Sequence, residues 1–98
     1  MIIEKTLNEA ELTVSVTGRL DTITAPELEA CLRESYDGIS KLVLDFAALD
    51  YVSSAGLRVI LQAQKVMNRQ GEMVIRNVNE CINEVFEVTG FIDILTIE

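Results

Sequence analysis

Two adjacent serines, Ser53 and Ser54, are the residues whose type and position could support chemistry. They follow an apolar strand and precede a long apolar helix, and the first amides of a helix are unpaired and carry a partial positive charge. Either hydroxyl could cap that helix, or Ser54 could accept a phosphate of about −1.5 to −2 charges in the favourable field of the helix start. Arg58, one turn later, could pair with this phosphate, whereas Asp50 would repel it. The junction therefore predicts either a structural cap or a charge-controlled switch.

The two residues that follow the serines, Ala55 and Gly56, have very small side chains. A cap needs only one serine and does not account for the lack of bulk immediately after it. We expect Ala55 and Gly56 to let another molecule approach the backbone of this turn. The pair of serines and the small residues together favour a binding surface.

Other chemistry has little support from the sequence. The chain has no histidine, which argues against Ser-His-Asp and Cys-His catalysis and against the usual zinc sites. Neither glycine-rich nucleotide-binding pattern is present. Asp21, Asp45 and Asp50 are interpreted as scattered solvated acids, Cys31 as a small buried hydrophobic residue, and the role of Cys81 stays open. We expect no enzyme activity, no metal site and no cofactor.

Length and charge limit the class of protein. The 98 residues fit a single domain, 1–98, since domains usually hold about 100 to 150 residues. The formal net charge of −8 argues against nucleic acid as a partner; it suits a basic protein partner or serves only to maintain solubility. Residues 1–10 lack the apolar core of a signal peptide, and no stretch approaches the roughly 18 apolar residues of a membrane span. We expect a cytoplasmic protein with no membrane insertion.

Hydrophobic periodicity predicts that the chain opens with a β-hairpin. Residues 12–17 alternate apolar and hydroxyl side chains, which is typical of a half-buried strand. Residues 2–6 can pair with them through a turn near Asn8. The glycine and polar residues at 18–21 are expected to break the second strand.

Three helices are predicted. A capping box of Thr24 and Glu27 should start the first, and Ser53 or Ser54 should start the second, which runs to residue 70. Asn79 should cap the third. The second helix is expected to be mostly buried, with a single solvent-exposed polar stripe made of Arg58, Gln62, Lys65 and Arg69.

Strands are predicted at 41–46 and 72–76, and a short last strand is expected to hold Ile92, Ile94 and Ile97. Strands that alternate with helices after an initial hairpin indicate an α/β fold with parallel crossovers in its second half. We expect a mixed sheet of about four to five strands packed against about three to four helices.

Four stretches resemble a known family when they are taken together and in order. They are GRLD at 18–21, TAPEL at 24–28, KLVLDF at 41–46 and YVSSAGL at 51–57. The chain resembles STAS domains, specifically bacterial anti-sigma factor antagonists, along essentially its whole length, which implies a STAS-like sheet.

The resemblance implies a partner-switching regulator. Such a protein binds an anti-sigma factor, a serine kinase with a histidine-kinase-like ATPase fold, and thereby frees the sigma factor. Phosphorylation of the serine that corresponds to Ser54 lowers the affinity, and a serine phosphatase restores it. The family often has aspartate before the acceptor and serine or threonine after it, but this chain has Ser53 and Ala55 at these positions. Loss of the acid could weaken recognition by the kinase or make Ser53 a competing, less favoured acceptor. The expected partner-binding residues are Asp21, Thr22, Ser53, Ser54, Ala55, Gly56 and Arg58.

Two other functions stay open. The domain could be a constitutive STAS scaffold or accessory subunit of a larger signalling or transport complex, without a phosphate switch. It could also bind a nucleotide itself, although only the family resemblance suggests this.

Overall fold

The computed structural model describes every residue from Met1 to Glu98. Its five strands form one sheet. The strands are β1 (Ile2–Asn8), β2 (Glu11–Leu20), β3 (Lys41–Asp45), β4 (Leu49–Val52) and β5 (Glu72–Arg76). The helices are α1 (Ala25–Ser35), α2 (Ser54–Gln70) and α3 (Glu80–Thr89), and a 3-10 turn follows at Phe91–Asp93. The predicted α/β class is confirmed.

The long strand β2 organises the sheet. It pairs antiparallel with β1, as the predicted hairpin requires, and its first half pairs parallel with β3, which in turn pairs parallel with β5. Its second half, from Gly18 to Leu20, pairs parallel with β4. Because β2 and β4 run in the same direction, the residues that follow them leave the sheet at the same edge.

The predicted break of the second strand at 18–21 is wrong. The strand continues to Leu20, and the pairing register shifts between Gly18 and Arg19, where Gly18 adopts a φ of 103°. The Gly18 N–H donates to Ala48 O at 2.9 Å, so the chain bends and finds a new partner in β4. β4, which was not predicted from the sequence, is the partner that keeps this part of the chain in the sheet.

The predicted last strand is also wrong. The segment forms a 3-10 turn, and only an isolated bridge joins Ile97 to Ile75 of β5. Leu95 is buried, Ile94 is 52% exposed, and Ile92 and Ile97 are half-buried, so burial does not alternate along the segment as it would in a half-buried strand. The 3-10 turn instead brings Leu95 into the core. The strand was predicted from the three isoleucines, which do not all lie on one face of an extended chain.

The helices cover the apolar face of the sheet. Leu12, Val14 and Val16 of β2 alternate into the core, as predicted. The predicted polar stripe of α2 is exposed to solvent. The other faces of the helix contribute Leu57, Ile60 and further residues to the core. No helix has both the length and the apolar character needed to span a bilayer. α2 is thereby fixed against the sheet with its first turn at the edge where β2 and β4 end.

Candidate functional site

Ser53 is the N-cap of α2. Its backbone is extended (φ −96°, ψ 176°), and its hydroxyl oxygen accepts a hydrogen bond from the Gly56 N–H at 3.3 Å. Its own N–H donates to Leu20 O at 2.9 Å, which ties the cap to the end of β2. One of the amides at the start of the helix is therefore satisfied by Ser53.

Ser54 is the first residue of α2, and its side chain is exposed. Since Ser53 provides the cap, the hydroxyl of Ser54 is not needed for that purpose. The positive end of the helix dipole lies beside it, and this field favours negative charge. The structure thus separates a capping hydroxyl from an exposed hydroxyl in neighbouring positions.

Gly56 is buried and is required by the core. A Cβ atom here would lie 2.7 Å from Leu20 Cγ and 2.9 Å from Val52 Cγ2. The expectation that Gly56 lets another molecule approach the backbone is therefore wrong, because side chains of β2 and β4 already fill that space. Ala55 is half-buried and packs on the edge of the core.

Asp21 and Thr24 organise the turn between β2 and α1. The Asp21 carboxylate accepts hydrogen bonds from the N–H groups of Ile23 (3.0 Å) and Thr24 (3.1 Å), and the Thr24 hydroxyl accepts one from the Asp21 N–H at 2.9 Å. The predicted capping box of Thr24 and Glu27 is wrong: the Thr24 side chain makes no cap bond into α1. The reciprocal arrangement lies three residues earlier, where Asp21 is the acceptor.

The same bonds perturb the Asp21 carboxyl group. The hydrogen bond from the Thr24 N–H, together with that from Ile23 and the guanidinium of Arg19, outweighs partial burial and lowers the pKa of Asp21. Arg19 Nε lies 3.8 Å from Asp21 Oδ2, and the Arg19 guanidinium stacks 4.1 Å from the ring centroid of Tyr51. Asp21 is therefore an ionised residue that holds its own turn.

The turn after β2 and the start of α2 are neighbours. Leu20 is paired with Val52 in the sheet, so Asp21 and Ser53 follow adjacent positions. The family resemblance implies that Asp21 and Ser53 belong to one surface, and the parallel pairing of β2 with β4 is the physical reason that they lie close together.

A groove of about 240 Å³ lies between the first turns of α1 and α2. It brings Thr22 together with Ala55 and Arg58, three of the residues expected to bind a partner. The remaining lining residues are Ala25, Pro26, Glu29, Val59 and Gln62. Pro26, Glu29 and Gln62 were not predicted to belong to the site, because their proximity depends on how the two helices pack.

The other candidate residues lie apart from this groove. Asp50 is exposed on β4, and Asp45 accepts hydrogen bonds from the Ala47 N–H and the Asn77 side chain. Cys81 is exposed. Cys31 is half-buried, not fully buried as expected, because it lies at the margin of the apolar face of α1; burial raises the pKa of its thiol.

Residues 2–98 match the family model of the STAS domain. The chain belongs to the STAS domain family. The resemblance found in the sequence is therefore confirmed over nearly the whole chain.

Named relatives agree with this assignment. BtrV of Bordetella bronchiseptica, a candidate anti-sigma factor antagonist, is 40% identical over 88 residues, which cover 88% of this chain and 76% of BtrV. The anti-sigma-B factor antagonist of Staphylococcus aureus is 33% identical over 95 residues, which cover 95% of this chain and 88% of that protein.

Solved structures share the fold. The anti-sigma factor antagonist SpoIIAA in its unphosphorylated form has a TM-score of 0.79 at 13% identity, covering 99% of this chain and 87% of that chain. Bacillus SpoIIAA in its phosphorylated form has a TM-score of 0.78 at 14% identity, covering 99% and 91%. At these identities the comparison supports the STAS fold.

Proposed function

We propose that this STAS domain is an anti-sigma factor antagonist, a regulator without catalytic activity that binds an anti-sigma factor and so frees a sigma factor. Relatives at 40% and 33% identity carry this name, and they align with most of the chain. Because sigma factors act in transcription, the protein is assigned to the cytoplasm. The anti-sigma factor is a serine kinase with a histidine-kinase-like ATPase fold.

The switch is phosphorylation of Ser54. The kinase transfers the γ-phosphoryl group of ATP to Ser54 Oγ; the hydroxyl loses its proton and ADP leaves. A serine phosphatase hydrolyses the ester and releases inorganic phosphate. Bacillus SpoIIAA, which shares the fold, has a phosphorylated form, and this motivates the proposal.

The observation that carries the assignment to Ser54 is that the hydroxyls of Ser53 and Ser54 differ in exposure and in hydrogen bonding. Ser54 is exposed at the positive end of α2, where about two negative charges are electrostatically favourable. The hydroxyl of Ser53 is half-buried and accepts from the Gly56 N–H. Phosphorylation of Ser53 would disturb the cap, whereas phosphorylation of Ser54 would leave it in place.

The partner-binding surface is the first turn of α2 and the groove beside it. Ser54, Ala55 and Arg58 contribute from α2, and Thr22 contributes from the turn before α1. Asp21 supports this surface by holding the turn, and Gly56 supports it from the core by allowing α2 to pack against Leu20.

Phosphate mapping tests the assignment. The protein is incubated with ATP and a candidate anti-sigma factor kinase from the same organism, and the peptide containing residues 50–58 is analysed by mass spectrometry. We expect one phosphate on Ser54 in the wild type and in Ser53→Ala, and none in Ser54→Ala.

An unmodified wild-type peptide, with a kinase that is active on a control substrate, would refute the switch. Stable co-purification with scaffold or transporter subunits would then favour a constitutive STAS subunit, a role with which Ser53 in place of the usual aspartate is compatible.

A further inference from the structure

The exposed face of α2 carries a stripe of cations, here called the α2 stripe: Arg58, Lys65 and Arg69. The helix contains no aspartate or glutamate, although the chain has 16 acidic and only 8 basic residues. The spacings of seven and four residues place all three on one side of the helix. The stripe is a basic strip on an acidic molecule.

The α2 stripe is also left unneutralised by the protein itself. Arg19, Arg33, Lys41 and Arg76 each have a carboxylate oxygen within 4.0 Å. None of the three stripe residues has such a neighbour, even though acidic side chains are twice as numerous as basic ones. The fold therefore keeps three cations free of internal ion pairs on one exposed helix face.

Two shallow grooves run along this stripe. The groove between α1 and α2 contains Arg58 and Gln62, and a second groove of about 280 Å³ is lined by Arg58, Leu61, Gln62 and Lys65. Both grooves are lined by Arg58 and Gln62, so they adjoin each other along α2 from Ala55 to Lys65; the two together are here called the trough. Its two cations, Arg58 and Lys65, outnumber its single carboxylate, Glu29, so an extended or helical segment with carboxylates would fit its charge.

We propose that this trough binds an acidic segment of the protein partner, and that phosphate on Ser54 lowers the affinity by pairing with Arg58 in place of that segment's carboxylates. The second half rests on the proposed function. Ser54 and Arg58 are four residues apart, so their side chains are neighbours on the helix surface. A phosphoserine there forms a charge-assisted pair with a guanidinium. Phosphorylation thus removes the first cation of the α2 stripe from the partner.

The test uses a fluorescein-labelled oligo-glutamate peptide as the acidic probe, at low ionic strength, with affinity measured by fluorescence anisotropy. Phosphoserine is installed at position 54 during translation, so the outcome does not depend on any kinase. In the unmodified protein we expect Arg58→Gln and Lys65→Gln each to weaken peptide binding about two- to fivefold. Lys5→Gln, which removes a cation outside α2, should leave the affinity unchanged.

The decisive comparison is the effect of phosphoserine in different backgrounds. In the wild type and in Lys65→Gln, phosphoserine should weaken binding by the same factor, on the order of fivefold. In Arg58→Gln this factor should fall by more than half, because the phosphate has no stripe cation to occupy. An equal effect of phosphoserine in both variants, or a peptide affinity that the α2 changes leave unaltered, would overturn the proposal.

The result is separable from that of phosphate mapping. If the kinase does not modify Ser54, the proposed switch fails, while binding of the acidic peptide to the α2 stripe still stands or falls on the unmodified variants. If Ser54 is modified but phosphoserine acts independently of Arg58, the switch stands and the competition for Arg58 is wrong.

Discussion

The two serines at the start of α2 differ in their contribution to the stability of the fold as well as in their exposure. Ser53 accepts the Gly56 N–H and caps the helix, so Ser53→Ala should lower the free energy of unfolding by about 1 kcal/mol. Ser54 is exposed and does not cap the helix, so Ser54→Ala should change it by less than about 0.5 kcal/mol. Urea unfolding measures both; equal losses would contradict the separation of cap and acceptor.

Gly56 makes the first turn of α2 compatible with the sheet. Gly56→Ala adds a Cβ within 2.9 Å of two buried side chains, Leu20 and Val52, and such overpacking costs about 1 to 3 kcal/mol. Alanine recovers roughly 1 kcal/mol of helix propensity, so a net loss of about 1 kcal/mol is expected in urea unfolding. A variant more stable than the wild type would show that the core relaxes freely around this methyl group.

At the scale of elements, the turn that leads into α1 depends on an ionised Asp21. Hydrogen bonding holds the pKa of this carboxyl below its ordinary value of 3.8. A group with a depressed pKa in the folded state stabilises the fold above the unfolded pKa and loses that contribution as the pH falls through the folded pKa. The stabilisation should therefore be complete above pH 3.8 and decline below it.

The matched variant is Asp21→Asn, which keeps an acceptor oxygen but cannot be charged. Wild type and variant are compared by their urea midpoints as a function of pH. The urea midpoint of the wild type should exceed that of the variant most near neutral pH, and the difference between the two midpoints should decrease below pH 3.8. A difference between the two midpoints that stays constant across this pH range would mean that the charge of Asp21 does not stabilise the turn.

The elements were predictable where local signals agree. The second and third helices begin where Ser53 and Asn79 cap them, because a capping side chain precedes an apolar run. β4 was missed because its four residues, Leu49–Val52, are too few to show a period. The capping box was misplaced because Thr24 bonds back to Asp21, which depends on where β2 ends.

At the scale of the whole molecule, the C-terminal segment covers the outer edge of β5. The Ile75 N–H donates to Thr96 O and the Glu98 N–H donates to Ile75 O, both at 2.9 Å, and Arg76 Nε lies 2.7 Å from Glu98 Oε1. Removal of residues 96–98 should lower the free energy of unfolding by about 1 to 3 kcal/mol. It should also expose an unpaired strand edge and promote self-association.

Urea unfolding and light scattering together check this prediction. A truncated protein that is as stable and as monodisperse as the full chain would show that the bridge to β5 adds nothing to stability or to edge protection.

For the molecule as a whole, the distribution of charge over the surface was the property predicted least well from the sequence. The net charge of −8 suggested a basic partner, yet the surface beside Ser54 carries unpaired Arg58 and Lys65. A signal was present, since α2 has no acid in an acid-rich chain. The groove between α1 and α2 could not be predicted, because it depends on the packing of residues that are distant in sequence.

The most direct test of the central claim is the affinity of the protein for its anti-sigma factor kinase with serine or phosphoserine at position 54, measured by titration calorimetry. The phosphorylated form should bind more weakly, on the order of tenfold or more, and Ser54→Ala should bind like the unmodified protein. Equal affinities for the two forms would contradict the account, because Ser54 would then not control binding.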